Sequence, residues 1–469
     1  MSILSGYLMP HPPLIIPEIG RGEERKIQNT IDSMNDIGLD VKSLAPDTII
    51  VITPHGNLFR DAVTVNCDRN LRGDFGSFGY RDIKMNFDNN FELANRIVDN
   101  SEKKNVSAIR VDEELKKDYM LDSRIDHGTM VPLHFVISHY NDFKLVHITY
   151  GILSNEELYK FGKIVKDTVN ELGIRAVVIA SGDLSHKLIQ GAPAGYSPKG
   201  KGFDKNIMEY IGNNNRLGIM SVDETYADEA GECGLRSLQI LMGVLDGLET
   251  ENRVLSYEGP FGVGYGCAEL KVKGESEEYR IFDDISRENK SWLRKIRDEE
   301  DGYVRLARKT LETYLHENRT IKPNEEKLDE ELLHNRAGAF VSIKKDGNLR
   351  GCIGTINPTK GSIAEEIINN AISAGIYDPR FNPVEEDELE DLVYSVDILS
   401  PAEKIHSKTM LDPYNYGVIV TSGRKKGLLL PNLEGIDDVD EQLRIALSKA
   451  GINQWEEYEM ERFKVTRHH

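Results

Sequence analysis

A chain of 469 residues is longer than one hydrophobic core ordinarily serves, so at least two domains are expected. Its composition, 39% hydrophobic and 29% charged, is that of a globular protein and excludes a disordered or fibrous chain. The formal net charge of -20 opposes a phosphate backbone and argues against nucleic acid as a partner.

The opening stretch, MSILSGYLMPHPP, is apolar but lacks the basic start and cleavage site of a secretory signal, and three prolines interrupt it. No later segment reaches the roughly 18 apolar residues of a membrane span, so a cytoplasmic protein is expected. Cys67, Cys233, Cys267 and Cys352 show no CxxC spacing, which argues for reduced thiols over a disulfide framework or zinc finger. From residue 1 to about 272, apolar strand-like runs at 3–9, 48–53, 62–67, 144–150, 176–181 and 267–272 alternate with helical stretches at 91–100, 155–171 and 232–247. That alternation predicts an α/β domain. The segment 273–301 is highly charged with scattered apolar residues and reads as a linker with some helix. Beyond it, 302–469 has helices at 303–317, 363–373 and 437–450, strands at 338–344, 349–356 and 392–399, and a hairpin of 416–421 with 427–431 closed by the basic turn SGRKK. This order is α+β.

Three short motifs place a histidine where a strand ends: MPHPPLI (His11), ITPHGN (His55) and SGDLSHK (His186). Open α/β sheets bind ligands at that carboxyl edge. Neutral imidazole is the commonest metal ligand, and two imidazoles with a carboxylate or thiolate hold a divalent ion while leaving positions open. DHGTMVPL adds His127 and Asp126, and GECGLRSL adds Glu232 and Cys233. His134, His139 and His147 lie outside these motifs and read as structural. The glycine-rich GPFGVGYGCAEL at 259–270 runs into a strand instead of a helix, so it predicts a close-packed loop beside the site and not a phosphate cradle.

The ordered set MPHPPLI, TPHG, DHGTMVPL and SGDLSH resembles the class III extradiol dioxygenase (LigB-type) superfamily and its Memo relatives over roughly residues 1–272. The resemblance implies an α/β sandwich with Fe(II), or another divalent metal, on His11 and His55, with His186 as acid/base and His127 as a second active-site histidine acting on a small aromatic or related oxygen-bearing substrate. The third ligand falls at Glu232 or Cys233. Glu232 would complete the dioxygenase set, whereas Cys233, together with Asp183, resembles the Memo proteins, which implies a metal-binding protein without ring cleavage.

In the second domain, LRGCIGTINP, NAISAGIYDPRF and YSVDILSPAEKI closely resemble the AMMECR domain. Arg350, Gly351, Cys352 and Gly354 put a cation and a thiol among glycines, a pattern that permits a ligand to approach the backbone closely, and Asp378 with Arg380 would add a polar wall. A tight strand edge with a local Asp-Arg pair accounts for the same residues equally. The order of the two domains resembles the AmmeMemoRadiSam system protein A family, which implies a radical SAM enzyme as partner.

Overall fold

Apolar and β-branched runs bounded by Gly, Pro or Asp form the strands of the first part of the chain: β1 (Ile3–Met9), β2 (Thr48–Thr53), β3 (Val63–Asn66), β4 (Asn70–Phe75), β5 (Tyr80–Asp88), β6 (Ala108–Val111), β7 (Lys144–Thr149), β8 (Ala176–Ser181), β9 (Leu248–Glu258) and β10 (Tyr265–Glu275). In the computed structural model, which describes residues 2–345, 347–433, 436, 438–453 and 455–469, the chain divides into two units, Met1–Asn289 and Lys290–His469. No helix among the described residues is long and apolar enough to cross a membrane.

The first unit is built on an eight-stranded sheet in the order β6-β3-β7-β2-β8-β1-β10-β9. Its central strands β7, β2, β8 and β1 run parallel, so their carboxyl ends lie side by side. Those strands are buried on both faces, which is why they read as unbroken apolar runs instead of alternating ones. Ile50 and Ile52 of β2 join Val178 and Ala180 of β8 under one helical layer, while Ile49, Val51, Val177 and Ile179 face the other. Helices Phe91–Lys103, Asn155–Glu171 and Leu235–Val244 cover the first face; helices Gln28–Leu44 and His127–Ile137 cover the second. The Asn155–Glu171 helix starts at a reciprocal capping box between Ser154 and Glu157.

Several elements depart from the sequence reading. The helix expected from 232 begins only at Leu235, because the preceding residues cap it. The hairpin β4–β5 and strands β6 and β9 were not anticipated, since their short or charge-interrupted runs carry little apolar signal. The charged stretch 273–301 is mostly ordered: β10 continues to Glu275 and a helix spans Phe282–Glu299, with the division between the units falling inside it. One turn of apolar side chains anchors its start. Ile281 and Ile285 are buried in the first unit's core, and Phe282 stacks on Tyr159 with ring centroids 6.1 Å apart, beneath the ammonium groups of Lys160 and Lys163.

The second unit holds helices Gly302–Glu317, Ile363–Ile376 and Val439–Ala450 with two four-stranded antiparallel sheets. The first sheet is β12 (Asn348–Gly354), β11 (Gly338–Lys345), β13 (Leu392–Leu399) and β18 (Val465–His468) in that order; the second is β14 (Glu403–Ile405), β17 (Glu459–Phe463), β15 (Gly417–Ser422) and β16 (Lys425–Leu429). Gly423, at φ 58°, closes the expected hairpin between β15 and β16. Asp437, where the sequence placed the start of the last helix, lies outside the described residues. The architecture is an α/β sandwich followed by a smaller α+β unit. Because Ile285 is 1% exposed in the first unit's core, Ile285→Ala in the full chain should cost about 2–5 kcal/mol. Denaturant unfolding should show this as an earlier transition, and an unchanged midpoint would mean that the helix adds nothing to the first unit.

Candidate metal centre

The side-by-side carboxyl ends of β1, β2 and β8 bring the histidine motifs to one edge of the sheet. His11 follows β1 between two prolines and is buried; its backbone N–H donates to Asp183 Oδ1 at 2.8 Å. Its Nδ1 lies 2.9 Å from Ser181 Oγ, whose own proton goes to the Gly128 carbonyl. The Ser181 oxygen therefore receives the Nδ1 proton, and Nε2 of His11 is left with its lone pair. That Nε2 is 3.0 Å from Nε2 of His55, which follows β2, and 3.6 Å from Sγ of Cys233. The ligand atoms of His11, His55 and Cys233 all lie within 4.8 Å of one another.

Cys233 reaches this position because two loops touch. A Cβ on Gly182 would fall 2.1 Å from Cα of Gly234, so only glycine allows the SGD and CG segments to approach as they do. The Cys233 N–H then donates to the Asp183 carbonyl at 3.2 Å, and the Tyr150 hydroxyl donates to the Cys233 carbonyl at 3.2 Å. Glu232, the other candidate for the third ligand, instead accepts the Leu235 N–H at 2.6 Å and caps the helix that begins there. It stands outside the three-residue group.

His127 starts its own helix, capped by Asp126, and its ring stacks on His55 with centroids 4.4 Å apart and lies 5.4 Å from His11. Phe78 closes on the ring of His127 at 5.2 Å. His186 sits in the loop after β8, where its Nδ1 is 2.6 Å from the Gly231 carbonyl. A carbonyl only accepts, so Nδ1 carries the proton and Nε2 is the free base.

Burial sets the charge state of the cluster. It holds His11 well below the usual imidazole range, with the neighbouring His55 and His127 rings adding to it, and pushes His55 down to about 4. His127 and His186 are lowered for the same reason. All four rings are therefore neutral near pH 7. The thiol of Cys233 is pushed well above its ordinary value by burial and then by the carboxylates of Asp183 and Glu232. Asp126 keeps its charge despite burial, because it accepts from His147 at 2.9 Å and Thr53 at 2.6 Å. His147, read from sequence as structural, thus fixes the carboxylate that caps the His127 helix. Ser181 and Tyr150 were missed, although Ser181 lies in the same SGDLSH motif. His134 and His139 do not join the group; His139 pairs with Asn35 at 3.2 Å.

In the second unit, the RGCIG glycines meet the protein itself. A Cβ on Gly351 would lie 2.1 Å from the Ala374 carbonyl, and one on Gly354 2.1 Å from the Phe340 ring. The close approach these glycines permit is made by the Ile363–Ile376 helix and by Phe340. Arg350 forms a two-point pair with Glu388 at 2.7 and 3.0 Å. Cys352 donates its N–H to Asp378 at 2.9 Å, and its sulfur receives the Ser342 hydroxyl at 3.2 Å. Arg380 bridges Asp378 and the Cys352 carbonyl.

The donor set, the lone pair on Nε2 of His11, the imidazole of His55 and a thiol that becomes a thiolate on binding, fits a borderline-soft divalent cation. Residues 5–268 match the family described as the catalytic LigB subunit of aromatic ring-opening dioxygenase, and residues 304–468 match AMMECR1. A protein of Clostridium acetobutylicum is 45% identical over 100% of this chain and 99% of its own length. A Thermotoga maritima protein is 53% identical over 36% of this chain and 98% of its own. The crystal structure of an uncharacterized protein from Pyrococcus horikoshii, 32% identical, covers 35% of this chain and 88% of that one with a TM-score of 0.33. With residues 5–268, more than half of its length, matching the LigB family and a relative 45% identical over its whole length, the chain belongs to the LigB family and carries an AMMECR1 domain behind its LigB domain.

Proposed function

We propose that the first unit is a metal-dependent enzyme of the LigB superfamily in which His11, His55 and Cys233 hold one divalent cation, Fe(II) before others, and that it acts on a small aromatic or related oxygen-bearing molecule. The observation that carries this reading is the convergence of three ligand atoms within 4.8 Å at the carboxyl edge of the sheet. When bound, such a metal supplies Lewis acidity and redox capacity beside open coordination positions.

The chain's own residues have separate tasks. Ser181 and Asp183 orient His11 from two sides. His127, neutral and stacked on His55, offers a ring nitrogen to substrate at the edge of the site. His186, with Nδ1 fixed on the Gly231 carbonyl, presents a free Nε2 that takes a phenolic proton and returns it.

A cysteine where a dioxygenase supplies a carboxylate supports a second reading, a Memo-like metal protein that does not cleave rings and works with a radical SAM enzyme. Dioxygen uptake with catechols by the metal-loaded protein separates the two: uptake supports the enzyme, and full metal without uptake supports the partner protein.

Purified without oxygen, the full chain should carry about one metal per molecule. Cys233→Ser and His11→Ala should each lose it while Glu232→Gln keeps it; the reverse pattern at 232 and 233 would refute the ligand assignment. Since the thiol must release its proton to ligate, metal affinity of the parent chain should rise between about pH 6 and 8. Metal affinity independent of pH would remove Cys233 from the site. His186→Gln should keep the metal and lower turnover by about 10²–10⁴-fold, the usual contribution of a general base.

A further inference from the structure

A second cavity in the first unit takes no part in the metal centre. Its volume is about 660 Å³, and Leu188, Ile189, Met208, Val254 and Tyr257 form its apolar walls. Small-molecule sites commonly span roughly 300–1,000 Å³. The glycine-rich stretch that the metal centre leaves unexplained shapes this space. A Cβ on Gly266 would lie 2.7 Å from Met208 Sδ, one on Gly264 2.0 Å from Asp204 Oδ2, and one on Gly259 2.6 Å from Leu188 Cδ1. Side chains at those positions would displace the walls.

The polar groups of the cavity are committed, with one exception. Asp204 is fully buried and accepts the Ser185 N–H at 2.8 Å and the Tyr257 hydroxyl at 2.6 Å. Lys205 lies 3.6 Å from Glu209. Lys201, exposed on the same helix Gly200–Gly212, is the lining charge that has no counterion among the described residues. Apolar walls with one free ammonium at the rim suit a molecule with an apolar body and one acidic group.

We infer that this cavity is a binding site for a small amphipathic anion, an aromatic or aliphatic acid whose body lies against Met208, Val254 and Tyr257 and whose acid group meets Lys201. The site also touches the loop that carries His186: the Tyr257 hydroxyl and the Ser185 N–H share the Asp204 carboxylate, and Ser185 precedes His186. Asp204 thus joins a wall of the cavity to the loop that carries His186, although binding itself does not depend on a metal being there.

The probe is 1-anilinonaphthalene-8-sulfonate, which joins fused apolar rings to one anionic group, titrated by fluorescence into the full chain. One saturable site per chain is expected. Met208→Trp, which fills the cavity, should abolish the signal, and Val254→Trp, at another lining position, should do the same should the first variant fold poorly. Lys201→Glu should weaken binding by about fivefold, the scale of an exposed ion pair, and Lys201→Arg should leave it unchanged. Decanoate should displace the probe. Non-saturable binding, or Trp and Glu variants that bind as the parent does, would overturn the assignment.

Discussion

The centre depends on a contact between two stretches of backbone with no side chain between them. Gly182 meets Gly234 so closely that a single methyl group on Gly182 would part the loops. Asp183 then uses its two ends differently, its carboxylate holding the backbone of His11 and its carbonyl holding that of Cys233. Residues 222 positions apart in the chain are in this way tied to one aspartate. The sheet supplies the coarse placement, and the glycine contact supplies the last few ångströms.

Electrostatics follow from that packing. Four imidazoles in one small volume could not all be protonated, and burial resolves the conflict by keeping them neutral, which also leaves their lone pairs free for ligation. The carboxylates near the cluster are kept from competing. Asp126 is taken up by His147, Thr53 and a helix start, and Glu232 by the start of another helix. The sulfur of Cys233 is what lies with the two histidines, as a thiol that turns negative only when it gives up its proton.

Much of this was legible in the sequence because the histidine motifs directly abut apolar strands, and a strand that ends at Pro or Gly leaves little freedom about where the next side chain goes. Which of Glu232 and Cys233 lies beside the histidines was not legible, since they are neighbours of suitable chemistry and the choice follows the point at which the helix starts. The second unit's glycines were ambiguous for a different reason: a ligand and the chain's own Ala374 carbonyl require the same absence of a side chain. In the charged stretch after β10, the turn of Ile281, Phe282 and Ile285 was outweighed by the surrounding acids and bases, although three side chains suffice to hold a helix end.

The two ends of the eight-stranded sheet also differ in a way that bears on how the molecule behaves in a crowded solution. An open strand edge is a template on which another chain can add a strand. The β6 end is only 4 residues long, too short to recruit a partner strand effectively. The β9 end runs for 11 residues, and along it Glu249, Glu251 and Arg253 stand exposed. A second copy arriving there would have to desolvate those charges and would bring its own net charge of -20 against the same. Those charges make adding a strand along the long edge costlier than its length alone would suggest.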